Sequence, residues 1–477
     1  MARIVVIGAG MGAMAAAARL AVAGHRVTVY ERTETYGGAV RRLARDGFAF
    51  DTGPGLLHLP AVYRDLFVKT GKEPLEECVE LTQVDPASRH VFADGTLVDL
   101  PNASRAGTVA ALDAALGAGA GERWGAFMVR AREAWDRTRR PLLEEPRTAD
   151  TAALAREPYP APKAGLLRRP TTTLARIGSR ELRDPRLAAL LDSYAWAYGF
   201  DPATAPAAAA VLPYMEQTFG TWYVRGGLRA LADAVYARCL RRRVDFVFDA
   251  RVDRVLEKDG RAAGVVLAGG ETVAADHVVA GAPVPALYRD GVVGRAAGGD
   301  GPGHQADGTG RVTVCLALRG AREAGAAHRT VVHASGDRPT TTVLRPDDPS
   351  LRPDAGHESV TLTATLRLDP AYDATAVGEA MVTAAEAAVP GLRERLLWRE
   401  VRTPDDTLRE TGVAGVPGPA LAGGSGAFLP AANLSPLPGL YFAGGWSHPG
   451  GGLAHAGMSG ALVAGLIVEG DDFRGSR

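Results

Sequence analysis

Residues 2–32 read ARIVVIGAGMGAMAAAARLAVAGHRVTVYER, an apolar run, a glycine turn, an alanine-rich stretch and a second apolar run. Ile4 to Ile7 is a continuous run of β-branched residues, as expected of a parallel strand buried on both faces. Gly8, Gly10 and Ala13 follow in the spacing G-x-G-x-x-G/A, with Gly12 between them. Alanines from Ala13 to Ala23 favour a helix, Gly24 ends it, and Arg26–Tyr30 forms a second strand. Glu31 closes the unit, 21 residues after Gly10. Each part has a physical task. Gly8 permits a tight turn, Gly10 lets the backbone approach a pyrophosphate, and Ala13 lets helix and strand lie close. The helix N-terminus offers unpaired N–H groups and partial positive charge to phosphates, while a carboxylate at position 31 accepts hydrogen bonds from a ribose. A glycine motif alone is weak and can be a structural turn. Preceded by a strand, opening a helix and closed by an acid, it predicts dinucleotide binding.

Working outward, Arg32 follows the acid, and Gly37–Gly38 with Arg41 and Arg42 suggest a second close backbone approach with a cation at hand for phosphate. Gly53–Pro54 then turns the chain after GFAFDT. A further G-x-G-x-G run in residues 116–125 follows an alanine-rich helical stretch instead of a strand, so it reads as a helix–turn–helix link. One dinucleotide fingerprint is therefore expected. Near the other end, residues 439–465 read GLYFAGGWSHPGGGLAHAGMSGALVAG. An apolar run meets a glycine cluster, then a small-residue helix beginning near Leu453. So many glycines are entropically costly unless a backbone must come close to something.

The bulk properties limit the alternatives. With 477 residues, two domains built from interleaved segments are expected. The chain is 46% hydrophobic and 23% charged, with 54 basic and 54 acidic residues and zero formal net charge. That argues against nucleic-acid binding, and the basic run CLRRRVDF (Cys239–Phe246) reads as a solvated helix end. Cys78, Cys239 and Cys315 are far apart and odd in number, which fits a reducing cytoplasm and shows no zinc spacing. The ten histidines form no metal motif, no G-x-S-x-G elbow is present, and no apolar run is long enough to span a bilayer. The N-terminal run is too short for a signal peptide.

Taken together, the glycine turn, the Gly37–Gly38 pair, GFAFDTGP, MEQTFGTWYVRGGLRALADAV (Met215–Val235) and the C-terminal GLYFAGGWSHPGGG resemble the FAD-dependent phytoene desaturase (carotenoid desaturase) family. The resemblance covers nearly the whole chain. It departs from the family pattern at Ala282, at Ser193 and in GVAGVPG, changes that bear on the substrate more than on the cofactor. It implies FAD and an α/β fold of the flavin amine oxidase type: a Rossmann-type FAD domain from residues 1–85, 225–290 and 401–470. An interleaved α+β substrate domain, from 86–224 and 291–400, is mostly helical over 86–220. Residues 298–310 are expected to form a surface loop.

The resemblance also places Val252 against adenine, and the glycines Gly444 and Gly445 beside the flavin. The helix start at Leu453 and Ala454 is expected to face the flavin pyrimidine, where its dipole favours reduced flavin. Glu216 is a candidate proton acceptor, or else a buried carboxylate paired with an arginine such as Arg225. Trp222 and His448 are further catalytic candidates. Tyr194, Trp196, Tyr198, Tyr214, Phe219 and Trp446 are candidate substrate-lining residues, or else core. The implied reaction is dehydrogenation of an apolar polyene or isoprenoid-like substrate by hydride transfer to flavin N5, with oxygen or a quinone as electron acceptor. No protein partner is expected. Arginine-rich amphipathic stretches at 123–140 and 176–191 are candidates for peripheral membrane contact. The competing readings are a redox-neutral cis–trans isomerase, a desaturase of a non-carotenoid metabolite, an amine oxidase and a non-enzymatic prenyl-protein escort.

Overall fold

Five parallel strands form the sheet on which the site is built, and they come from widely separated parts of the chain. The computed structural model describes residues 1–147, 150–161, 172–294, 308–368, 373–470 and 472–475. Most of the glycine-rich segment at 298–310 lies outside them. The β-branched run becomes the central strand Arg3–Ile7, flanked by Arg26–Tyr30 and His277–Ala280. Asp245–Val247 and Leu440–Phe442 add the two edges, so the order along the sheet joins the first and last parts of the chain. Val6 and Val279 have no accessible surface, as a strand covered on both faces requires.

The helix after the glycine turn runs Met11–Val22, and nine of its twelve residues are buried. Its alanines let it lie against the C-terminal helix Leu453–Glu469 with backbones nearly touching. A Cβ added at Gly12 would stand 2.7 Å from Gly444 Cα and 2.7 Å from the Ala456 carbonyl. One added at Gly460 would stand 2.4 Å from the Gly12 carbonyl. Both ends of the chain are thus locked together next to the first glycine turn.

A second sheet of seven strands covers the opposite side. Its order is Leu396–Arg402, Thr309–Arg319, His357–Arg367, Thr341–Leu344, Arg329–Val332, Ser88–Val91 and Leu97–Leu100. The last two correct the expectation of a largely helical segment from residue 86: SRHV and LVDL alternate buried and exposed residues and extend the sheet edge. Helices then run from Arg105 to Phe219 and enclose a separate apolar core around Trp124, Phe127 and Leu190. The link at 116–125 is the turn between helices Arg105–Leu116 and Ala120–Arg139. The stretch at 176–191 is not one amphipathic helix. It breaks at Arg183, whose φ of +55° ends one helical segment before Asp184 caps the next, Pro185–Ala197. Among the described residues no helix is long and apolar enough to cross a membrane.

The Gly12 contact gives a direct test. Because the atoms that a new Cβ would meet are backbone, Gly12→Ala should destabilise by about 1–3 kcal/mol in urea unfolding, as overpacking does. Gly24→Ala is a poor control because of its positive φ; Gly125→Ala, whose Cβ would meet only Val109 Cγ2 at 3.6 Å, should be neutral or stabilising. Equal stability for the two variants would contradict the close helix crossing.

Candidate functional site

A cavity of about 720 Å³ opens at the carboxyl ends of the parallel strands, the place where open α/β sheets bind ligands. Its outer half is bordered by Gly8, Gly10 and Gly12, then by Glu31, Arg32, Gly37, Gly38 and Arg41. Gly53, Pro54 and Val252 continue the wall, and Gly444, Gly445, Leu453 and Ala454 close it from the C-terminal segment. Ala13 and Arg42 are the two nucleotide-site candidates read from the sequence that are not on the wall; Arg42 donates to the Gly226 carbonyl on the surface. Ala13 is buried beneath the wall, where a Cβ on Gly281 would come within 2.5 Å of its own Cβ.

Two helices of 12 and 17 residues start at this cavity, at Met11 and at Leu453, and neither has a side-chain cap: Gly10 and Gly452 occupy the N-cap positions. Their first N–H groups have no intrahelical partner and carry partial positive charge, so each start favours an electron-rich group. Glycine also leaves room for close approach; a Cβ on Gly38 would lie 3.1 Å from Gly10 Cα. Gly8, at φ +87°, makes the turn that an L side chain would strain. The Glu31 carboxylate is buried at the end of its strand. Its Oε2 accepts from the Ala9 N–H at 2.8 Å and its Oε1 from the Thr33 N–H and hydroxyl at 2.9 Å, which fixes its direction. Arg41 Nε donates to the Gly38 carbonyl at 3.1 Å. Arg32 is turned to the far wall, donating to the Glu410 carbonyl at 2.9 Å at the end of the helix Pro404–Thr411. The glycine cradle, the two uncapped helix starts and the fixed carboxylate fit a dinucleotide.

The inner half is bordered by Trp196, Tyr198, Trp446 and Glu216 together with the concave face of the seven-stranded sheet. Glu216 is 5% exposed and held by Arg329, whose Nη1 donates to Oε2 at 2.8 Å; His58 Nε2 stands 3.5 Å from Oε1. Burial pushes the Glu216 carboxyl up, but His58 and Arg329 outweigh it and leave its pKa below the ordinary value. Burial pulls His58 the other way, toward the neutral form, against the attraction of Glu216. Arg225 is not the partner of Glu216; it reaches Glu80 at 3.4 Å on the surface. Glu216 lies on the helix Val211–Phe219 and Arg329, 113 positions further on, on the strand Arg329–Val332, a pairing that no local pattern reveals.

Several residues singled out in the sequence stand away from the cavity. Trp222 is on the strand Thr221–Val224, paired with Leu57 and Gln83 and lying under the Arg64 guanidinium at 5.3 Å. Phe219 is 39% exposed. Tyr194 accepts a hydrogen bond from Gln217 at 2.9 Å, and Tyr214 packs on Trp135. His448 is fully buried and donates from Nε2 to the Glu145 carbonyl at 2.9 Å. Desolvation pushes its pKa down to about 3. The residues missed in the sequence are His58, His455 and the sheet residues Arg311, Thr313, Thr363 and Thr365, all on the wall. The alternation of RVTVCLALR places 311 and 313 on one face, which is the signal that would have found them.

Replacing Glu216 by Gln leaves a buried guanidinium without its counter-charge, so E216Q should lose about 3–5 kcal/mol of stability in urea unfolding. The double variant Glu216→Leu with Arg329→Met should recover much of it; a double variant as unstable as E216Q would contradict the ion-pair assignment. The buried histidines give a pH test. His448 and His455 are pushed by desolvation to about 3 and about 4 from an ordinary 6.5. Between those values the unfolded chain binds more protons at these sites than the folded one, so their contribution to stability falls as pH drops below 6.5. Glu157 and Asp192, both raised to about 7 by burial, act in the opposite sense over the same range, so the histidine contribution is read by difference: His455→Gln should lose less of its urea midpoint than wild type between pH 7.5 and pH 5, and the same loss in both would contradict it.

The comparisons with known proteins agree with this geometry. The family described as flavin containing amine oxidoreductase matches residues 14–297. The 4,4'-diapolycopene oxygenase of Methylomonas sp is 29% identical, over 98% of this chain and 98% of its own length. The hydroxyneurosporene desaturase of Cereibacter sphaeroides is 36% identical over 58% of this chain and 55% of its own. Among solved structures, an oxidoreductase from Methanosarcina mazei superposes with a TM-score of 0.69 over 97% of this chain and 99% of its own, at 17% identity, a likeness of fold alone. The chain belongs to the flavin-containing amine oxidoreductases, and it is an FAD-dependent oxidoreductase of the phytoene desaturase-like group.

Proposed function

We propose that this enzyme desaturates an elongated, largely apolar polyene or isoprenoid-like substrate, taking a hydride and a proton from adjacent carbons. The observation that carries this reading is the continuity of the cavity: a dinucleotide cradle at one end runs into a wall with Trp196, Tyr198 and Trp446 at the other. The names of the similar carotenoid desaturases and oxygenases point the same way. FAD, when bound, supplies the hydride acceptor at N5, and reoxidation by oxygen or a quinone completes the turnover.

In this reading Gly8, Gly10, Gly12 and Gly38, with the start of the helix at Met11, receive the pyrophosphate, and Arg41 adds positive charge nearby. Glu31 orients a ribose and the Val252 backbone meets the adenine. The helix start at Leu453 and Ala454 places partial positive charge at the flavin pyrimidine, next to Gly444 and Gly445. Segments 1–85, 225–290 and 401–470 would then form the FAD domain, with the remainder forming the substrate domain. Glu216 is assigned to holding Arg329 in the cavity wall, because accepting a proton would dismantle a buried ion pair. Trp222 and His448 receive no catalytic role, since neither borders the cavity. A soluble enzyme that meets its substrate at a membrane surface is consistent with the absence of a spanning helix among the described residues.

The amine oxidase alternative calls for a lysine near flavin N5, and among the described residues no lysine borders the cavity. The isomerase alternative remains chemically distinct: it needs reduced flavin and conserves mass. The test is anaerobic mixing of FAD-loaded protein with polyene candidates. Desaturation predicts bleaching of the flavin absorbance and a product lighter by two hydrogens. Product of unchanged mass formed only with pre-reduced flavin would favour the isomerase instead.

A further inference from the structure

We infer that the substrate end of the cavity contains a subsite for an anionic group, a carboxylate on an otherwise apolar substrate, with Arg311 as its recognition residue. This rests on the reading of the inner cavity as the substrate site. Arg311 lies on the strand Thr309–Arg319, second from one edge of the seven-stranded sheet, and borders the cavity. It makes one protein hydrogen bond, from Nη2 to the Ala197 carbonyl at 2.8 Å. No carboxylate among the described residues pairs with it. A guanidinium carries five N–H donors, so most of its capacity is left facing cavity space.

The contrast with neighbouring arginines is informative. Arg329 is paired with Glu216 at 2.8 Å, Arg345 with Glu358 at 2.7 Å, and Arg402 with Glu410. A cation enclosed by protein without a counter-charge costs free energy, and fixed local structure usually supplies a partner. Burial accordingly pulls the Arg311 guanidinium below its ordinary value with no acid opposing it. The surroundings extend the argument. Thr365 is directly opposite Arg311 across the strand pair and Thr363 is opposite Thr313. Thr342 is in turn opposite Thr363. All four threonines border the cavity, so hydroxyl groups share the cavity-facing side of the sheet with the guanidinium. A planar fork flanked by hydroxyls suits a carboxylate, which accepts two parallel N–H bonds. A pure hydrocarbon would leave these groups desolvated and unpaired.

The experiment titrates FAD-loaded protein with all-trans-retinoic acid and with its methyl ester, following perturbation of the flavin absorbance. Wild type should bind the acid about tenfold or more tightly than the ester, the range expected for a hydrogen-bonded charge. Arg311→Gln should reduce that ratio to about twofold or less, with Arg311→Lys retaining part of it. FAD content and thermal unfolding of each variant are measured in parallel. Equal affinities of wild type for acid and ester would overturn the proposal, even if R311Q fails to fold. So would a loss of FAD from R311Q and R311K, which would assign the guanidinium to the cofactor. Mass analysis separates the two readings. An acid that binds in an Arg311-dependent way but is not dehydrogenated supports the subsite and counts against desaturation. Dehydrogenation of ester and acid with equal affinity supports desaturation and overturns the subsite.

Discussion

The structure depends on one close approach, the crossing of the helix Met11–Val22 over the helix Leu453–Glu469 at Gly12 and Gly460. Side chains at these two positions, even those of alanine, would hold the two backbones apart. Because they are absent, the N-termini of both helices open into the same cavity, one from each end of the chain. The central strand Arg3–Ile7 and the edge strand Leu440–Phe442 join the same parallel sheet for the same reason. The cavity is therefore a long-range construction. Neither the glycine turn at Gly8 nor the glycine cluster at Gly444 encloses a dinucleotide alone.

Around this frame the cavity changes character along its length. Its outer half presents backbone N–H groups, glycine and one fixed carboxylate, Glu31. The inner half combines aromatic rings with charges carried on the seven-stranded sheet. Burying charge there is costly, and the chain offsets most of that cost internally, as in the Glu216–Arg329 pair. Burial of Glu216 and Arg329 strengthens the attraction between their charges.

Much of the cavity's outer half was legible in the sequence because it is local. The turn, the helix and the acid lie within 31 residues, and the meaning of each is set by backbone geometry. Glycine clusters carry their own signal, so the C-terminal contribution could also be read. The inner half was much less legible. Its residues come from strands whose pairing spans long stretches of chain, and Arg329, Arg311 and Thr363 look like ordinary strand residues until the sheet is assembled. The aromatic candidates show the same limit. Trp196 and Tyr198 border the cavity, whereas Tyr194, two positions earlier, turns into the helical core. Helical periodicity sorts such neighbours only when it is known which face meets the cavity. Trp222 and His448 were misplaced for a related reason: they sit beside motif glycines in the chain, but the strand pairing and the buried Glu145 contact direct them elsewhere.

Hydrogen-exchange mass spectrometry of the apoprotein and the FAD-loaded protein tests the central claim, that both chain ends build one cofactor site. FAD should slow exchange together in peptides covering Gly8–Gly12 and in those covering Gly444–Ala456, with the same dependence on FAD concentration. Protection confined to the N-terminal peptides, or appearing at a different FAD concentration in the C-terminal ones, would contradict it.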